Sequence, residues 1–174
     1  MKLINPTGIK RIIVGKNEKL DVTLQDFNEG SREFTLEIEL QGDNAQCRIQ
    51  GRAQSTGKDK KIWTVSQTFS GTNQTGQIEL RGTAEDESFL QFDGTALLSP
   101  SSVDADANIN ERIILFDNAK GKLLPVLTVK TDRVKSASHG ASIAPVDSEK
   151  FLYLQSRGIA KKEGEQLLKE GFLK

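Results

Sequence analysis

The stretch Arg32–Gly42, "REFTLEIELQG", alternates large apolar side chains with charged ones. Phe34, Leu36, Ile38 and Leu40 fall on one side of an extended chain, and Glu33, Glu37 and Glu39 on the other. Successive Cβ atoms leave a strand on opposite faces, so this period of two predicts a strand with one face buried. The same alternation recurs on both sides, in KLDVTLQDF, AQCRIQGRA, KKIWTVSQTF, GQIELRG, SFLQFDGTALL, NERIILFD and LPVLTVKTD. Polar turn segments such as QSTGKDKK, SGTNQTG and SPSSVDAD separate these runs. From Met1 to about Ile143 the chain is therefore expected to be all-β.

The spacing of the strands narrows the architecture. Leu80, Leu98, Leu115 and Val134 each sit late in a successive apolar segment, about 17 to 20 residues apart. No Asn-Gly or Asp-Gly hairpin turn joins these segments, and long, evenly repeating connections suit the coils of a β-solenoid better than a meander. A two-sheet sandwich is the alternative.

Composition excludes several function classes. With 174 residues the chain is long enough for one domain with a real core. Its 24 basic and 24 acidic residues cancel, so no global field draws it onto nucleic acid or an anionic membrane. No apolar run approaches the roughly 20 residues that span a bilayer, and Met-Lys-Leu-Ile-Asn-Pro is too short and polar to open a signal peptide. A cytoplasmic location is expected. Cys47 is the single cysteine, which leaves no internal disulfide and no metal site built from cysteines of this chain.

The pattern changes near Asp147, dividing a β domain over residues 1–145 from a helical segment over 146–174. Asp147 is a good N-cap, with Val146 and Phe151 placed as a hydrophobic staple, for a helix over Ser148–Arg157 that Gly158 ends. A second helix is expected over about Lys161–Lys169, stopping at Gly171, although Ala160 is a poor cap and Gly164 costs roughly 1 kcal/mol in a helix interior. Two short helices with few apolar residues make a weak core, so they should dock on the β body or on a partner.

Few residues could carry chemistry. His139, the lone histidine, shares a strand face with Ala137, Ala141 and Ile143. It reads either as a hydrogen-bonded core residue or as a metal or cluster ligand whose small neighbours leave room around the imidazole. Cys47 is in phase with Ala45 and Ile49, as a small core residue would be. Asp104, Asp106 and Glu111 form a local acidic cluster that could bind Ca²⁺ or simply make a polar turn. The chain has no phosphate-binding lysine loop, no GxGxxG before a helix, no nucleophile elbow and no HExxH, and so reads as a scaffold rather than an enzyme.

The last stretch, "DRVKSASHGASIAPVDSEKFLYLQSRGIAKKEGEQLLKEGFLK", resembles the C-terminal signature of the SufB/SufD proteins of the SUF iron-sulfur cluster assembly system. That signature runs from a His-Gly-Ala or His-Glu-Ala strand through an acidic N-cap, a Phe-Tyr-Leu helix and Ser-Arg-Gly-Ile to a second helix and a final Gly-Phe. The preceding "FDGTALLSPSSVDADANINERIILFDNAKGKLLPVLTVKTD" is similar, more loosely, to the family's terminal β coils.

The resemblance implies a right-handed parallel β-helix with a C-terminal two-helix segment. It implies that this segment binds a SufC-type ABC ATPase, with Phe151, Tyr153, Leu154, Arg157, Gly158, Leu168 and Phe172 as candidate contacts. It further implies that the terminal coils pair with a SufB-like protein or a second copy of the chain. His139 matches the histidine that the SufD branch brings to that interface, as a candidate ligand to a transient iron-sulfur cluster shared with the partner. The partner's cysteine aligns with Asn110, which favours a SufD-like scaffold. An ATPase-binding adaptor without a cluster is the alternative, and a Ca²⁺-dependent β-helix enzyme on acidic polysaccharides, using Asp104, Asp106 and Glu111, is a third. The chain departs from the family pattern in its short length and in Ala144-Pro145.

Overall fold

A computed structural model describes the backbone of residues 1–174 and the side chains of all of them except Ser148 and Lys150. The strands are β1 (Lys2–Ile4), β2 (Gly8–Val14), β3 (Lys19–Asp26), β4 (Arg32–Leu40), β5 (Gln46–Ser55), β6 (Lys60–Phe69), β7 (Thr75–Ala84), β8 (Phe89–Leu98), β9 (Ala105–Leu115), β10 (Lys120–Leu123), β11 (Val126–Val129) and β12 (Val134–Pro145). Two helices follow, α1 (Ser148–Ser156) and α2 (Lys161–Leu173).

Strands alternate between two parallel sheets. One has the order β1-β3-β5-β7-β9-β12; the other runs β10-β8-β6-β4-β2, with β11 also paired to β8. The chain therefore winds as a β-solenoid, as its spacing predicted, and the sandwich alternative falls because every ladder is parallel. Stacked turn residues such as Gly57, Asp86 and Asp117 lie 29 and 31 positions apart, so each coil carries two strands at about half that interval, shorter than the spacing of 17 to 20 residues expected from the apolar segments. One predicted turn is in part a strand: β9 opens at Ala105, so Asp106, Asn108 and Asn110 belong to the ladder.

Left-handed residues turn the corners. Asn17, Asn44, Asn73 and Asp104 have φ of 59°, 57°, 52° and 51°. Asn and Asp tolerate this region because their short side chains bond locally. Here the bonds run between coils: the Asn44 amide donates to Asn17 Oδ1 at 2.9 Å and the Asn73 amide to Asn44 Oδ1 at 2.8 Å.

The core fills the space between the sheets. Leu36, Ile38, Leu40, Trp63, Val65, Phe69, Leu90 and Phe92 from one sheet meet Val22, Leu24, Ile49, Ile78, Leu80 and Ile109 from the other. Large and minimal side chains interlock. Trp63 and Leu80 press on Gly51, where a Cβ would lie 2.7 Å from Trp63 Cζ3 and 2.5 Å from Leu80 Cδ2. Polar inward residues are paired at one corner. Lys61 Nζ donates to Asp26 Oδ1 at 2.8 Å and to the Asn28 and Gln54 carbonyls, and Arg32 reaches the same Asp26 oxygen at 2.7 Å. These bonds offset the desolvation of a fully buried lysine.

At the C-terminus, Asp147 caps α1 by accepting from the Glu149 amide at 3.0 Å. Gly158 adopts φ +82° just past the C-cap Arg157, the left-handed position that glycine occupies without steric cost. The second helix departs from expectation by running through Gly171 to Leu173. Its end docks on the solenoid, where Arg81 donates to the Phe172 carbonyl at 3.4 Å, and this contact favours continuation of the last turn.

Candidate functional site: the open end of the solenoid

The last coil is incomplete on one side. The strand β12 lines up with β9 along its length and forms the free edge of its sheet, and no later strand covers it in the opposite sheet. Residues paired across a parallel ladder point the same way, so the inner row of β12 continues the core row of β9. Ala137 pairs with Ala107, His139 with Ile109, Ala141 with Glu111 and Ile143 with Ile113. The four β9 residues are buried, whereas His139, Ala141 and Ile143 are exposed. The core reading of His139 is thereby corrected: its phase is that of a core residue, but the layer that would bury it is missing.

His139 is itself exposed, with the small Ala141 next to it on the same face, and on the opposite face an added Cβ at Gly140 would meet no atom within 4 Å. Asn110 registers with Gly140 on the outer side and accepts a bond from Arg112 Nε at 3.2 Å. Among the described residues no group of three or more His, Cys, Asp or Glu is arranged to hold a metal ion. Any site centred on His139 therefore needs donors from another molecule. Imidazole suits such a shared site, because it binds iron and releases it more readily than a thiolate does.

The acidic cluster does not exist as a cluster. Asp104 is a left-handed corner residue, Asp106 lies on the outer side of β9 opposite Thr75, and Glu111 points into the core with no exposure. Neighbouring residues in a strand diverge, which separates what the sequence put side by side. The Ca²⁺ and polysaccharide reading falls with it. Glu111 is the residue whose importance that reading obscured. Its signal was its phase, since Glu111 stands between Ile109 and Ile113 in a row of core positions. Burial raises its carboxyl to about 7, against nearby Gly94 and Leu124 amides that lower it, and Asp93 raises it further.

Cys47 is a core residue, as its phase predicted, and burial pushes its thiol up to about 11, which leaves it without nucleophilic thiolate at neutral pH.

The helices form a second surface. The hairpin rests on the solenoid through α2, where Lys169 pairs with Glu85 and sits 4.8 Å over the Phe116 ring. The first helix packs on α2, and Gly164 permits the close approach: a Cβ there would lie 3.3 Å from Leu154 Cδ1. Of the candidate contacts, Phe151, Leu154, Leu168 and Phe172 are half-buried, whereas Tyr153 is 60% exposed with Arg157 stacked 5.4 Å over its ring, and Gly158 is exposed. Leu152 and Leu167 are exposed apolar residues outside that set of candidate contacts; Leu152 is 66% exposed. No helix among the described residues is long and apolar enough to cross a membrane.

The family model for the SUF system FeS cluster assembly SufBD core domain matches residues 6–172. The chain belongs to the SufBD family. SufD of Bacillus subtilis (strain 168) is 28% identical over 98% of this chain and 38% of the relative. SufD of Escherichia coli (strain K12) is 25% identical over 75% of this chain and 31% of the relative, and SufB of Bacillus subtilis is 25% identical over 83% and 28%. This SufBD chain thus spans less than two-fifths of the length of these relatives. The sequence signature that resembled the family falls on the two surfaces described above, with His-Gly-Ala on β12 and the remainder on α1 and α2.

Proposed function

We propose that the chain is a SufD-like scaffold subunit in cytoplasmic iron-sulfur cluster assembly, without catalytic activity of its own. The observation that carries this reading is the exposure of His139, Ala141 and Ile143 on the inner row of β12, the edge strand of its sheet. A SufB-like chain or a second copy would cover that row, bury Ile143 and supply the donors that His139 lacks. The cluster is cargo in this scheme: His139 would hold it until a partner's ligands are withdrawn.

The helices are the surface for a SufC-type ABC ATPase. Leu152, Tyr153 and Leu167 are exposed apolar or aromatic side chains on the two helices, with Arg157 over the Tyr153 ring, and an aromatic residue with an arginine is typical of an interface core. Dimerisation of the ATPase on ATP would then pull on the hairpin, and Pro145–Asp147 connects that pull directly to β12. Isolation of the tagged chain under anaerobic conditions, with mass spectrometry of its partners, tests the reading. An ABC ATPase that is retained by the native chain and lost on Leu152→Glu with Tyr153→Glu supports it; equal retention by the variant refutes the helix contact. The lone imidazole favours one second reading, an adaptor that recruits the ATPase without a cluster, which would yield the ATPase without iron or acid-labile sulfide.

A further inference from the structure

Glu111 is fully buried, and neither of its carboxyl oxygens makes a hydrogen bond. The carboxyl lies against the backbone of β8, with Oε1 2.5 Å from where a Cβ would stand at Gly94, so only glycine leaves it room. Buried polar groups are nearly always paired, because an unpaired one forfeits its hydration without return.

Among the described residues no cation pairs with it. On β8 the nearest charge is Asp93, of the same sign. On β7, Glu79 and Arg81 flank the inward Leu80 and bond to each other at 2.7 Å on the outer side. Arg112 of β9 bonds to Asn110, and Lys122 of β10 registers with the outward Gln91. On β12 the rung neighbour is Ala141, with His139 two positions away in register with Ile109. The Gly94 and Leu124 amides lie close enough to favour the charged form without completing a hydrogen bond.

The position is as unusual as the chemistry. Above Glu111, the strand covering β8 is broken between β10 and β11 at Leu124-Pro125, and Leu124 is exposed. Beside it lies β12, bonded on one edge only. The carboxyl is therefore one layer beneath the C-terminal end of the solenoid, where an edge strand opens at lower cost than the interior.

We propose that Glu111 is a proton-controlled latch on the terminal coil: neutral, it lets β10, β11 and β12 close over the core; ionised, it loosens them to admit water. An ionised carboxylate with no partner can be relieved by hydration, and the end coil is where water enters with the fewest broken contacts. Any bearing of this latch on partner pairing rests on the scaffold reading above, but the latch itself does not. Hydrogen-deuterium exchange on the isolated chain at pH 6 and pH 8, corrected for intrinsic rates, reads it without a partner. Peptides over residues 120–145 of the native chain should open about tenfold more readily at pH 8, since the folded carboxyl titrates near 7 and the hydrated one near 4.5. Peptides over β4 and β6 should not change, and Glu111→Gln should abolish the difference. A native chain with equal protection of 120–145 at both pH values overturns the proposal, whether or not the variant folds; so does an equal response in the variant.

Discussion

Substituting Gly51→Ala tests whether the two sheets interlock as described. Gly51 faces inward on β5, in register with Leu24 and Leu80 and opposite Trp63. Its φ is not positive, so alanine meets no backbone strain and the effect isolates packing. The new methyl would lie 2.5 Å from Leu80 Cδ2 and 2.7 Å from Trp63 Cζ3. Neither neighbour can yield into solvent, for both are fully buried and Trp63 is held against Phe92 with ring centroids 5.5 Å apart. Overpacking of this kind costs about 1–3 kcal/mol, and contact from both sheets places it toward the upper end. Lower chain entropy in the unfolded alanine variant returns about 0.5–1 kcal/mol, for a net loss of about 2 kcal/mol. In a chain of this size that lowers the Tm by about 4–8 °C. Gly140→Ala on β12 is the control, because its Cβ meets nothing within 4 Å. Calorimetry or urea denaturation of both variants decides the matter; a Gly51→Ala variant as stable as Gly140→Ala would refute the interlocking core.

The stability of the native chain should fall as pH rises. The folded Glu111 carboxyl sits near 7 against an ordinary value of 4.5, so the folded state holds its proton more tightly. Its contribution is complete below about 4.5 and lost progressively up to about 7, a change of up to about 3 kcal/mol that urea denaturation at pH 5 and pH 8 should reveal and Glu111→Gln should flatten. Lys169→Met should release α2 while sparing the solenoid, since it removes the pair with Glu85 and the contact with the Phe116 ring. Limited proteolysis should cut the variant in 146–174 severalfold faster, with the Tm of the β body shifted by no more than the about 2–4 °C that 1 kcal/mol produces; unchanged cleavage would mean that other contacts hold the hairpin.

Much of the fold was legible because half-buried strands print their alternation directly on the sequence. Phe34, Leu36, Ile38 and Leu40 are buried as their phase required. The coil period was harder to see, since each coil holds two strands and successive turns differ by a residue or two, so only the ladder reveals which apolar segment stacks on which. Asp104 looked like an acidic residue in search of a cation because a left-handed corner and a metal ligand favour the same side chains. Glu111 was grouped with it by proximity, although its phase put it in the core. The exposure of His139 was not legible at all: a period of two says which side a residue faces, not whether anything lies opposite. The α2 boundary was misplaced for a similar reason, since the Arg81 contact that favours its last turn comes from a strand far away in sequence.

Iron and acid-labile sulfide in the anaerobically isolated complex of the chain with its pairing partner, measured for the native protein and for His139→Ala, test the central claim most directly. His139 is exposed, so its loss should change stability by less than about 0.5 kcal/mol and leave the partner bound. The account predicts that the native complex carries iron and sulfide and that the variant complex loses them. An equal load in a His139→Ala complex with its partner intact would contradict it.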